Sequence, residues 1–257
     1  VLAGGVLAAF IGPNLARFTR DVIPDADFGG SYLSLIAVYG ISIVLVAMTR
    51  IPPPGDIERS SGGRPLRQII AQPVFFVAVI GALVGYGVMN LVMTATPLAM
   101  EGCGFAFGQT AQVIQWHVFA MFAPSFFTGS LIRRIGVLRV MLLGVLCYIA
   151  TVVINLSGET LTHYWIALFL LGLGWNFLFV GGTDLLTEAY REEEKAKAQA
   201  LNDFMVFTTV SIASLSAGAL QFHYGWRAVN WGVTPLITVI LVALLLLAGA
   251  LFLRRVW

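Results

Sequence analysis

PVFFVAVIGALVGYGVMNLVMTATPLA, residues 73–99, runs for 27 positions without one charged side chain. As a helix rising 1.5 Å per residue it is roughly 40 Å long, more than enough to cross a hydrocarbon core of about 30 Å. Backbone N–H and C=O groups have no water to bond in lipid, so a single crossing segment of this kind must be helical. Working outward, similar apolar runs recur at about 1–18, 30–49, 107–131, 137–156, 163–183, 199–221 and 229–253. Of the 257 residues 58% are hydrophobic and 11% charged, where soluble domains carry about 25% charged residues. The prediction is an all-α membrane protein with eight spans.

Charge sorts the connections into two sides. Arg50, Arg59, Arg64 and Arg67, then Arg133, Arg134 and Arg139, then Arg191, Lys195 and Lys197, and finally Arg254 and Arg255 fall on one side. Arg17, Arg20 and Arg227 fall on the other. Twelve basic residues against three make the first side cytoplasmic by the positive-inside rule, with the C-terminus inside. The polar stretch 51–72, with Pro52, Pro53, Pro54, Gly62, Gly63 and Pro65, reads as a cytoplasmic linker. It divides residues 1–50 from a six-span group over 73–257. The start at Val1 has no basic n-region or cleavage site and reads as a cut within a longer gene product.

Few side chains inside the spans carry chemistry. Met89 and Met93 lie four apart, as do His117 and Met121, so each pair shares a helix face. In a symmetric hairpin centred on residue 105, Met93 is level with His117 and Met89 with Met121. Thioethers and neutral imidazole are ligands suited to Cu(I), and no Asp or Glu adjoins the group to suit a hard divalent ion. Packing is the alternative role for such methionines. Cys103, in the loop between these helices, is a candidate first contact for incoming metal, or an inert thiol. Tyr86, Asn90, Gln115, Trp175 and Asn176 are candidates to line a pocket for a planar organic molecule. Two cysteines make no disulfide framework. No Walker loop, nucleophile elbow, HExxH or CxxC is present, so no enzyme and no bound cofactor are expected.

Six spans after a long basic loop resemble the second half of a major facilitator superfamily transporter. AGGVLAAFIGP at 3–13 resembles the glycine-proline motif of that superfamily's fifth helix. Gly129 with Arg133, Arg134, Gly136 and Arg139 resembles its basic loop between helices eight and nine. The resemblance implies helices 5–12 of a twelve-helix bundle, whose missing N-terminal helices would be partners. MxxxM followed by HxxxM resembles the CcoA-like copper importers, which implies a bacterial inner-membrane copper importer with Met89, Met93, His117 and Met121 as ligands. The broader bacterial subgroup that such importers belong to also includes riboflavin transporters, so an organic solute carrier is the alternative. A membrane copper receptor that does not translocate is a second one.

Overall fold

The computed structural model describes residues 2–24, 26–50 and 63–256. Most of the expected linker, 51–62 with Arg59, lies outside the described residues, as do the side chains of Arg254 and Arg255. The helices are α1 (Leu2–Thr19), α2 (Gly29–Met48), α3 (Leu66–Ile70), α4 (Pro73–Gly102), α5 (Phe107–Phe122), α6 (Ser125–Ile135), α7 (Val137–Ser157), α8 (Leu161–Thr187) and α9 (Lys195–Val256). A single 3₁₀ turn, Glu192–Glu194, precedes α9. Five of them, α2, α4, α7, α8 and α9, are long and apolar enough to cross a membrane. No strand occurs among the described residues, as expected for an all-α bundle.

Two expectations change in detail. The span expected over 107–131 is two helices, because Pro124 has no N–H to donate and its ring excludes the carbonyl of Ala120 from the ladder. The two spans expected over 199–221 and 229–253 are two rods of α9 joined without a loop at Gly225, where φ is 77° and ψ 175°. The first rod runs alongside α4 in the same direction, with Thr209 against Gly87 and Leu98 against Gly218. The second runs back, bringing Ile240 to Gly81.

α8 is the hub. It packs against α4, α5 and α7, while α9 covers α4 and α1 lies on α5. Lipid is as apolar as leucine, so the hydrophobic effect does not hold such helices together, and close backbone approach has to. Gly172 and Gly182 permit it. A Cβ at Gly172 would stand 2.4 Å from the His117 carbonyl oxygen on α5, and one at Gly182 would stand 2.9 Å from that of Ala78 on α4. α2 is the opposite case: only Gly30 and Ser31 are buried, and its large apolar side chains face outward.

The two ends of the bundle differ in chemistry. At one end the Glu194 carboxylate, fully buried, accepts from Arg64 Nε (2.9 Å), Arg64 Nη2 (2.7 Å) and the backbone N–H groups of Arg64 (2.6 Å) and Arg191 (3.0 Å). Arg64 and the Gln72 amide also both donate to the Ala189 carbonyl, at 3.0 and 2.8 Å. This clasp joins residues 63–72 to the segment before α9, two of the connections that the charge count assigns to one side. At the other end the Arg20 guanidinium lies over the rings of Phe28 and Phe107, 4.9 and 5.3 Å from their centroids. There Cys103 Sγ donates to Glu159 (3.3 Å) and Arg227 to the Leu156 carbonyl (3.2 Å).

The hydrogen bond from Arg64 holds the Glu194 carboxyl well below the usual carboxylate range. A carboxyl with a depressed native value adds stability that is fully present above its unfolded value and is lost as pH falls through the native one. Glu194→Gln is therefore expected to melt below the parent at pH 7, with the gap narrowing progressively below about pH 4 in a thermal scan. Gly172→Leu is expected to lower the apparent melting temperature by several degrees, since overpacking a tight contact costs about 1–3 kcal/mol.

Candidate functional site

On α4 the residues Tyr86, Asn90, Met93 and Pro97 recur at helical spacing and are half-buried, while Val88, Met89, Leu91 and Val92 between them are buried. One stripe of α4 is therefore less covered than the rest. α8 stands beside it with Trp175 and Phe179, whose i,i+4 spacing stacks their rings at 5.0 Å and 11°. Tyr86 meets both rings edge-on, at 5.3 and 5.2 Å. Phe122 from α5 meets Trp175 edge-on at 5.8 Å, and Phe207 from α9 lies 6.4 Å from Tyr86. Five rings from four helices make one aromatic wall, and Phe207 at 60% exposure keeps an edge of it open. Such a wall offers flat faces and positively polarised ring edges to a planar aromatic molecule.

Polar groups at the wall are of two kinds. The Trp175 indole N–H and the Asn90 carboxamide oxygen are shielded and have no hydrogen-bond partner. Asn176, by contrast, is fully used. Its amide donates to the Met121 carbonyl (2.7 Å) and Ser125 Oγ (2.6 Å), and its oxygen accepts from Thr128 Oγ1 (2.6 Å). It clamps the break at Pro124. Gln115 accepts from Asn14 on α1 at 2.9 Å, so its carboxamide ties two helices together. Trp175 and Asn90 thus stand at the wall with bonding capacity to spare, while Asn176 and Gln115 are engaged in holding helices.

The four Met and His positions are distributed differently from a hairpin. α4 and α5 touch each other sparsely, and α8 packs against both, so matched depth does not make the two motif helices neighbours. Met89 is turned into the core, Met93 is on the Tyr86 stripe, and Met121 is buried. His117 is fully buried with Nδ1 2.7 Å from the Leu168 carbonyl. That contact requires the proton on Nδ1 and leaves Nε2, which has no partner, as a free acceptor. Cys103 is exposed, 3.3 Å from Glu159 and 3.6 Å from the Tyr164 hydroxyl. Partial desolvation pushes its thiol above the ordinary range, the Tyr164 hydroxyl pulling the other way and the Glu159 carboxylate adding to the rise.

Phe122, Phe179 and Phe207 belong to the wall although the sequence does not single them out. The Trp175–Phe179 pair was discoverable from its i,i+4 spacing. Phe122 and Phe207 carry no local signal, since they join the wall only through the way α5 and α9 pack.

The sequence profile of the Major Facilitator Superfamily matches residues 105–255. The riboflavin transporter RfnT of Brucella anthropi is 43% identical over 250 residues, which cover 96% of this chain and 62% of that protein. The uncharacterized MFS-type transporter YdeG of Bacillus subtilis is 35% identical over 136 residues, 52% of this chain and 31% of the relative. A second such Bacillus subtilis protein, YddS, is 24% identical over 246 residues, 89% of this chain and 56% of the relative. The chain spans at most about three-fifths of the length of these curated relatives. With more than half of its residues in the family profile, and a bundle of apolar helices to match, the chain belongs to the Major Facilitator Superfamily.

Proposed function

We propose that this chain is part of a membrane transporter for a planar aromatic organic solute of the riboflavin kind, with the wall of Tyr86, Phe122, Trp175, Phe179 and Phe207 as its stacking surface. The observation that carries the reading is the parallel pair of Trp175 and Phe179 with Tyr86 set edge-on to both. The 43% identity to a protein named as a riboflavin transporter supports the same substrate class. In this reading residues 1–50 are the end of one helical bundle, 51–72 the linker and 73–257 the second bundle. The wall then faces the interface between bundles, and solute passes as one bundle rocks on the other. The end that carries the Arg64–Glu194 clasp faces the cytoplasm of a bacterial cell, since the basic connections gather there.

The second reading is copper import. Its support is His117, whose unpartnered Nε2 is held in the tautomer a metal ligand needs. The wall does not depend on that histidine, so the two readings separate experimentally. In cells that cannot make riboflavin, the complete gene product is expected to restore growth on external riboflavin. Trp175→Ala should cut labelled riboflavin uptake by about tenfold or more, roughly what losing one stacked ring contact and its buried area removes. The combined substitution of Met89, Met93, His117 and Met121 should leave copper accumulation unchanged. Copper uptake that disappears in that variant, with no riboflavin uptake in the parent, would reverse the order of the readings. Copper bound by the purified protein without flux into vesicles would instead indicate a receptor.

A further inference from the structure

We infer that Asn90 and Trp175 together recognise the hydrogen-bonding edge of the solute, so that the site selects a planar heterocycle bearing an imide or lactam N–H beside a carbonyl. This rests on the proposed function above and deepens it from a shape to a chemistry. Trp175 is 5% exposed, and its indole N–H, a donor only, has no acceptor. The Asn90 oxygen, an acceptor, is shielded and has no donor. Asn90 follows Tyr86 by one helical turn on the half-buried stripe of α4, and the Trp175 ring lies 5.3 Å from the Tyr86 ring. One donor and one acceptor therefore border the same aromatic surface. Buried polar groups in folded proteins are paired in the great majority of cases, so two unpaired groups beside one aromatic surface mark where a ligand's complementary groups fit.

Two other shielded groups without partners do not share this setting. The Asn155 oxygen belongs to the contact between α7 and α9, where Asn155 donates to Asn230, and the Trp226 ring packs on Tyr164 of α8 at 5.4 Å, apart from the five rings of the wall. At the wall, Asn90 is only half-covered and Phe207 stands open. A ring that stacks there brings an N–H to the Asn90 oxygen and a carbonyl to the Trp175 N–H. An aromatic hydrocarbon of equal area leaves both unpaired. Sites built around a ligand's hydrogen bonds discriminate strongly against analogues that lack them. Riboflavin carries such an edge, an imide N–H between two carbonyls.

The test titrates the complete gene product in detergent with riboflavin and with riboflavin methylated at its ring imide nitrogen, following flavin fluorescence. The parent is expected to favour riboflavin by at least about tenfold, because methylation removes the donor and adds bulk against Asn90. Asn90→Ala should narrow that preference to within about threefold, mainly by weakening riboflavin. Trp175→Phe keeps a ring but loses the N–H, and should weaken both ligands alike, since both retain their carbonyls. The ratio of two affinities does not depend on how much variant protein folds. A parent that binds both ligands equally, or an Asn90→Ala variant with the parental ratio, overturns the inference and leaves the stacking site standing. Trp175→Phe with unchanged affinities removes the indole from the recognition. A parent that binds no riboflavin overturns both this inference and the proposed function.

Discussion

The architecture depends on how closely α8 approaches its neighbours. In a bundle surrounded by lipid, helices gain little by hiding leucine from an apolar solvent, so dispersion contacts and interhelical hydrogen bonds must hold them. Gly172 and Gly182 let α8 press against the backbone of α5 on one side and α4 on the other, with main-chain oxygens where a Cβ would otherwise stand. That spacing is what sets Trp175 and Phe179 beside Tyr86 and Phe122. It also separates α4 from α5, which are joined by a short loop yet make little contact along their length. One constraint thus decides which rings meet and which sequence neighbours do not.

The same helix sets the fate of the polar groups. An irregular backbone at membrane depth is tolerated only where its freed groups find partners. Pro124 opens the ladder between α5 and α6, and Asn176 meets the need from α8 with three hydrogen bonds. Its neighbour Trp175, one residue earlier and so about 100° around the helix, faces the wall with its N–H unpaired. Adjacent residues of α8 therefore differ: one holds the scaffold, and the other keeps an unpaired donor at the wall. The two ends of the bundle add their own restraints. The Glu194 clasp joins residues 63–72 to the segment before α9, and the Arg20 guanidinium packs the end of α1 onto the start of α5.

Much of the fold was legible in the chain because hydrocarbon thickness imposes a length and lipid forbids unpaired backbone. The uncharged run 73–99 and its counterparts had to be helices, and the alternating basic connections indicated which ends lie together, as the Arg64–Glu194 contact bears out for two of them. Pro124 was readable in principle as a break. Residues 199–221 and 229–253 were separable, although the turn at Gly225 is tighter than a loop.

The site was legible only in part. Tyr86, Asn90 and Trp175 stood out as polar or aromatic groups in apolar segments, and the i,i+4 spacing of the Met and His pairs implied shared faces. Periodicity along one helix says which residues point the same way, but not toward what. Whether α4 faces α5 or α8, whether Asn176 binds a ligand or a broken helix, and whether Phe207 reaches Tyr86 depend on interhelical distances and rotations. Those follow from glycine contacts between segments far apart in the chain. The sequence by itself therefore determined that the apolar runs are helices and where they lie along the chain to within a few residues, the break at Pro124 and the loopless turn at Gly225 apart. Tertiary packing alone decided the aromatic wall, because its five rings come from four helices and meet only where small residues allow the backbones to close.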